Sequence, residues 1–148
     1  MTRRRYRRLV MDTMVVIRGA RAFRQKPPAP NTPELRLVQA WIDDDQLFAW
    51  YFSPEILAEY REVLRRLGVP REAVGRFLNR LRQGGDEVIG QVTETFSPDP
   101  KDGPFYACAL LADADYIVTD NLRDFPPIPG RKRPRIITPA EAVALLLD

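Results

Sequence analysis

Short apolar runs alternate with amphipathic stretches along this chain, and their spacing predicts alternating strands and helices. Leu9-Val10-Met11 has the pattern of a buried strand and stops at Asp12. Residues 14–24 fit a helix, whereas Lys26 to Pro33 holds four prolines and must be a loop. Pro33 to Asp43 carries Leu35, Val38, Trp41 and Ile42 at helical spacing, and Leu47 to Phe52 is an aromatic strand. Ser53-Pro54 opens the next helix, with serine as N-cap and proline in the first turn. Ile56, Leu57, Tyr60, Val63, Leu64 and Leu67 line one face of it, and Gly68 ends it. Another helix runs from Pro70 to Leu81, Gly84-Gly85 breaks the chain, and Val88 to Val92 is a candidate short strand. Beyond a turn-rich loop from Ser97 to Pro104, Phe105 to Asp113 is helical and Tyr116 to Thr119 is a strand. Phe125 to Pro134 is a proline-rich loop, and Arg135 to Ile137 is a last strand. Thr138-Pro139-Ala140-Glu141 is a capping box that starts the final helix.

Strands that alternate with helices form right-handed crossovers, so the pattern predicts a mostly parallel central sheet with helices on both faces. With no internal repeat or composition break, residues 1–148 read as a single α/β domain.

Composition narrows the chemistry. The chain has no histidine, which excludes Ser-His-Asp triads, imidazole-driven RNA cleavage and most catalytic zinc sites. One cysteine, Cys108, excludes an intrachain disulfide. No apolar run is long enough for a membrane span, and a cytoplasmic protein is expected. The net charge of +3 is unevenly spread, with Arg3, Arg4, Arg5, Arg7 and Arg8 at the start and Arg131, Lys132, Arg133 and Arg135 near the end. Either cluster suits a phosphate backbone, and either could equally be a solvated loop.

In an open parallel sheet, sites form beyond the carboxyl ends of the strands. Asp12 ends the first strand there. Asp120, Asn121 and Asp124 follow the strand that ends at Thr119. Asp99 and Asp102 precede a helix that runs antiparallel to the following strand, so they sit at the same edge. Glu59 borders the apolar face of its helix, whereas Glu55 and Glu62 point to solvent. Carboxylates gathered this way repel one another unless a cation intervenes. Oxygen donors without histidine or thiolate select a hard ion, Mg²⁺ or Mn²⁺, which suits phosphate hydrolysis.

Each acid also has a plainer reading. Asp12 could cap a turn, Asp102 the next helix, and Asp124 could be a turn residue. Glu59 could pair with Arg66, while Asp43-Asp44-Asp45 reads as a solvated helix end. Trp41, Trp50, Tyr51 and Cys108 read as core.

Four segments, taken in order, resemble the PIN-domain family, and in particular the VapC-like ribonuclease toxins of toxin–antitoxin pairs. They are Leu9-Val10-Met11-Asp12-Thr13, the helix Ser53 to Leu64 with Glu59, Asp99-Pro100-Lys101-Asp102, and Ala114 to Phe125. Ile136 to Glu141 is similar to the family's ending. The resemblance implies a three-layer α/β/α domain that hydrolyses RNA phosphodiesters with Mg²⁺ or Mn²⁺, forms a homodimer and is inhibited by a cognate antitoxin. It assigns catalytic roles to Asp12, Glu59, Asp102 and Asp124, with Asp12, Asp102 and Asp124 on the metal. Thr119 and Asn121 support them, and Asp120 is an alternative fourth acid; the charge cluster, not the resemblance, assigns Arg131, Lys132 and Arg133 to RNA. Met14 stands where the family usually has asparagine, and Gly103 stands where asparagine is common after the third acid.

Two other classes compete. A PIN-like module that binds RNA or a protein and cuts poorly is favoured by Met14. A haloacid-dehalogenase-like phosphatase using Asp12 as nucleophile lacks the second aspartate, because Met14 occupies its place. Cleavage of RNA with Mg²⁺, lost in Asp12→Asn, separates the first from the nuclease.

Overall fold

The computed structural model describes residues 6–23, 29, 31–92 and 100–148. Arg3, Arg4, Arg5 and Asp99, singled out above, lie outside the described residues. The sheet has five strands in the order β3-β2-β1-β4-β5, formed by β1 (Arg8–Met11), β2 (Ala49–Phe52), β3 (Asp86–Glu87), β4 (Tyr116–Val118) and β5 (Arg135–Ile137). Every pairing is parallel. Around the sheet lie α1 (Thr13–Arg18), α2 (Pro33–Asp43), α3 (Pro54–Arg66), α4 (Arg71–Gly84), α5 (Gly103–Ala112) and α6 (Pro139–Leu146). The result is the three-layer α/β/α arrangement expected from the pattern.

The strand order reverses between β1 and β4. Parallel α/β sheets open a crevice at such a point, beyond the strands' carboxyl ends. The pairs Leu9↔Tyr116, Val10↔Ile117 and Met11↔Val118 fix the register there. The Asp12 N–H continues the ladder by donating to the Val118 carbonyl at 2.9 Å. Thus Asp12 and the residues after Val118 leave the sheet side by side.

Beneath them, the core explains why the strands hold this register. Leu9, Val10, Met11, Ile117 and Val118 are fully buried, and each large apolar side chain so buried contributes roughly 1.5–3 kcal/mol. An aromatic cluster ties helices to sheet. Trp50 of β2 meets Trp41 of α2 edge-on at 5.0 Å and Tyr60 of α3 at 6.3 Å, and Tyr60 lies 5.8 Å from Phe77 of α4. Trp41, Trp50 and Cys108 are core residues, as expected. Tyr51 is half-buried instead, beneath the Arg8 guanidinium at 5.7 Å.

Several boundaries moved for local reasons. The helix expected over 14–24 stops at Arg18 and continues as a 3-10 turn over Ala20–Phe23. Gly19 separates them, packed so closely on α2 that a Cβ there would lie 2.6 Å from Val38 Cγ2. The strand expected over 88–92 is replaced by Asp86–Glu87, which pairs with Tyr51 and Phe52. Ile89 beyond it is 80% exposed, so apolar character there did not signal pairing. Leu67 follows α3 and is 56% exposed, because Gly68 turns the chain away with φ +84°. Helix α4 runs on to Gly84, three residues past its last core contact at Leu81.

Candidate active site

Asp12 is the N-cap residue of α1 but its side chain makes no capping bond. Its carboxylate, 8% exposed, accepts instead from the Thr119 hydroxyl at 2.9 Å. Thr119 in turn accepts from the Asn121 N–H at 3.0 Å, and the Asn121 side-chain amide donates to Asp124 at 2.6 Å. Asp124, Asn121, Thr119 and Asp12 are therefore joined in one hydrogen-bonded series, which gives Thr119 and Asn121 a visible supporting geometry.

Glu59 reaches the same place from α3. The Thr13 hydroxyl donates to its carboxylate, and the Tyr60 hydroxyl donates to the Met11 carbonyl at 2.5 Å. Two bonds from neighbouring residues thus fasten α3 to the chain on both sides of Asp12. Glu59 is not paired with Arg66. Burial pushes the Asp12 carboxyl above its ordinary value, the Thr119 and Thr13 hydrogen bonds oppose this, and the charges of Glu59 and Asp120 add to the rise. No guanidinium lies within ion-pair distance of Asp12 or Glu59 among the described residues.

Asp120 pairs with Arg18 at 2.8 Å, and Arg18 also reaches Glu34 at 4.0 Å. Burial and a hydrogen bond with Asp120 raise the Glu34 carboxyl, and the Arg18 guanidinium opposes the rise. Glu34 was not anticipated. It lies in the first turn of α2, and a helix that leads into a parallel strand starts at the carboxyl edge. The topological argument that located Asp102 would have located Glu34 too.

Asp102 stands at the N-terminus of α5 and makes no capping bond, so the plainer reading of it as a cap does not hold. Its charge, after burial, helps push the Tyr106 hydroxyl up to about 12. Tyr106 donates to the Pro126 carbonyl at 2.7 Å and stacks on Phe125 at 5.5 Å, which links Asp102 to the turn that carries Asp124. Asp12 thus feels Glu59 and Asp120 and is joined to Asp124 through Thr119 and Asn121, whereas Asp102 acts on Tyr106.

The chain matches a PIN-domain family model over residues 8–123. It belongs to the PIN-domain family. No curated protein matches it. PIN domains are generally nucleases that need metal ions. The match spans Asp12, Glu34, Glu59, Asp102, Asp120 and Asn121 and stops one residue before Asp124.

The donors of this PIN domain suit a hard cation. They are carboxylate and hydroxyl oxygens at a sheet edge, and Asp12 carries no counter-cation among the described residues. Among the described residues no three acidic or thiol side chains already stand as a ligand cluster. Such a donor set fits an ion held by one or two carboxylates through its own waters, as Mg²⁺ usually is, rather than a closed protein cage.

The basic residues sort differently. Arg133 pairs with Asp113 at 2.9 Å, at the amino edge of the sheet, opposite Asp12. Arg8 donates from its backbone to Asp115 at 2.8 Å and from its side chain to the Ala112 carbonyl at 2.8 Å. Arg131 and Lys132 are exposed. Asp45, expected to be only solvated, pairs with Arg80 at 2.8 Å.

Proposed function

We propose that this PIN domain is a metal-dependent endoribonuclease that hydrolyses RNA phosphodiester bonds, and that it is the toxin of a toxin–antitoxin pair. The observation that carries the nuclease reading is the buried Asp12 carboxylate, faced by Glu59 and Asp120 and, among the described residues, without a guanidinium of its own. A carboxylate left so exposed to like charge costs stability, and a site that must attract a cation explains it.

Asp12 would hold a Mg²⁺ or Mn²⁺ ion, with Asp102 and Asp124 completing the set as the resemblance implies, or Asp120 in place of Asp124. The ion, when bound, supplies charge neutralisation at phosphate and lowers the pKa of an attacking water. Thr119 fixes the Asp12 carboxylate through its hydroxyl, and Thr13 fixes Glu59. In this reading Glu59, held by the Thr13 hydroxyl, orients a water or takes its proton. Tyr60 keeps Glu59 in register with Asp12. The remaining chemistry is positioning, because a phosphodiester needs an in-line nucleophile and a stabilised leaving oxygen.

The toxin role, the antitoxin partner and the homodimer are supported by the resemblance to VapC-like toxins, and Arg131 and Lys132 are available for RNA. Among the described residues no helix is long and apolar enough to cross a membrane.

A second reading, a PIN module that binds RNA but cuts poorly, is favoured by Met14, 40% exposed beside the acids where the resemblance calls for asparagine. The test is cleavage of a structured RNA with Mg²⁺ or Mn²⁺. Cutting that stops with chelator and in Asp12→Asn supports the nuclease. Binding without cutting at any metal concentration favours the module. Relief of growth arrest by Asp12→Asn or Asp102→Asn, with the fold retained, tests the toxin role.

A further inference from the structure

The α3–α4 hairpin holds a groove of about 400 Å³ lined by Arg61 and Arg65 from α3 and by Arg71 and Arg82 from α4, with Asn79 and Gly75. All four arginines are exposed, and none is ion-paired among the described residues. Arg76 and Arg80, on the same helix, are committed elsewhere. Arg76 donates to the Phe23 carbonyl, while Arg80 donates to Ile42 and pairs with Asp45. Neither lines the groove. The arginines of α4 thus divide into those that bond the fold and those that line this groove with no ion pair among the described residues.

Gly75 makes the groove accessible. It sits inside α4, and a Cβ there would meet nothing within 4 Å. No neighbour requires glycine at this position, and a mid-helix glycine costs roughly 0.5–1 kcal/mol relative to alanine. The apolar lining, Val74 and Leu78, is buried. The groove therefore offers guanidinium groups and an amide with little open apolar surface. A protein helix would need apolar anchors to settle there, whereas a phosphate backbone needs only cations.

We propose that this groove binds the phosphate backbone of single-stranded RNA, as an extension of the candidate active site. The inference rests on the reading of the substrate as RNA. Continuity supports it, because α3 carries both features. Glu59 borders the buried Ile56–Tyr60–Leu64 stripe on the side of α1, where it meets Thr13. Arg61 and Arg65 border it on the side of α4. A strand held at Glu59 needs to cross only one helix, about 10–12 Å wide, to enter the groove.

The experiment is fluorescence anisotropy of the full chain with a labelled single-stranded RNA oligonucleotide, in chelator so that nothing is cut, across a salt series. Arg61→Gln/Arg65→Gln is expected to weaken binding on the order of ten-fold and to reduce the slope of log affinity against log salt by about 1.4. Gly75→Leu, which fills the groove and removes no charge, is expected to weaken binding as well. Arg36→Gln, on α2 away from the groove, is expected to change neither. Unchanged affinity and slope in both groove variants overturn the proposal. So does tighter capture of polyglutamate than of RNA of equal charge, which marks the groove as a seat for an acidic protein. Asp12→Asn, tested in parallel for cutting, separates the two readings. Its failure to abolish cleavage counts against the active-site assignment and leaves the anisotropy result standing.

Discussion

The two edges of the sheet carry the same kind of residue and treat it in opposite ways. At the amino edge, Asp115 is 6% exposed and Asp12 at the carboxyl edge is 8% exposed. Asp115 receives the Arg8 N–H at 2.8 Å and lies 4.0 Å from the Arg7 guanidinium. Nearby, Asp113 pairs with Arg133 and Asp45 with Arg80. Asp12 has a hydroxyl and two like charges. Burial is therefore not what distinguishes them. A buried acid matched with donors closes the fold, whereas a buried acid set against other acids leaves an electrostatic deficit that something else must fill.

That contrast can be broken first at activity. Asp12→Asn is expected to lower the RNA cleavage rate at least about 100-fold, measured on labelled RNA at saturating Mg²⁺. Retained cleavage would separate the deficit from catalysis. At the other edge, Asp115→Ala strands the half-buried Arg8 N–H and is expected to cost about 2 kcal/mol. In thermal unfolding this appears as a loss of roughly 6 °C, while cutting per folded molecule stays near that of the parent. A variant as stable as the parent would show that the amino edge does not depend on its pairings.

Stability should move the other way at the carboxyl edge. Asp12→Asn keeps an oxygen for Thr119 and removes a desolvated charge, so at neutral pH without metal it is expected to gain about 1 kcal/mol, or roughly 3 °C. The sign follows from linkage. The folded pKa of Asp12 is raised, so its native proton is held to higher pH than in the unfolded chain. Its favourable contribution is present below the ordinary aspartate value of 3.8 and is lost as pH climbs through the folded value. The stability gap between variant and parent therefore opens as pH rises across that window, and a constant gap would refute the assignment.

The smallest effect belongs to Asp45. Its carboxyl is lowered by hydrogen bonds from Gln46 and Arg80, so its contribution is present above 3.8 and is lost as pH falls through the folded value. Asp45→Asn is expected to cost about 0.5 kcal/mol at neutral pH and nothing in acid, since exposed pairs are worth little. Urea unfolding at two pH values compares the two aspartates directly.

The fold was legible where periodicity and caps agree. Thr138 and Glu141 form the full capping box, and Ser53 accepts from the Ile56 N–H as its sequence position suggested. The Val88–Val92 strand failed because a two-residue edge strand is set by the backbone of β2 rather than by its own apolar content. The site was legible as a list of acids at one edge. How they divide was not, because the position of Arg18 beside Asp120 and the Tyr106 contact with the 124–126 turn depend on packing between distant segments. The arginine groove escaped notice for a related reason. Its residues never form a run in sequence, and they gather only when α3 and α4 fold back on each other.

The central place of β1 has a consequence for biosynthesis. Asp12 is made 107 positions before its Thr119 partner. Because β1 is flanked by β2 and β4, it cannot complete its pairing until both have been made. A growing chain therefore carries this buried carboxylate long before anything orients it, and the proposed site cannot assemble until β4 and the turn beyond it have been made.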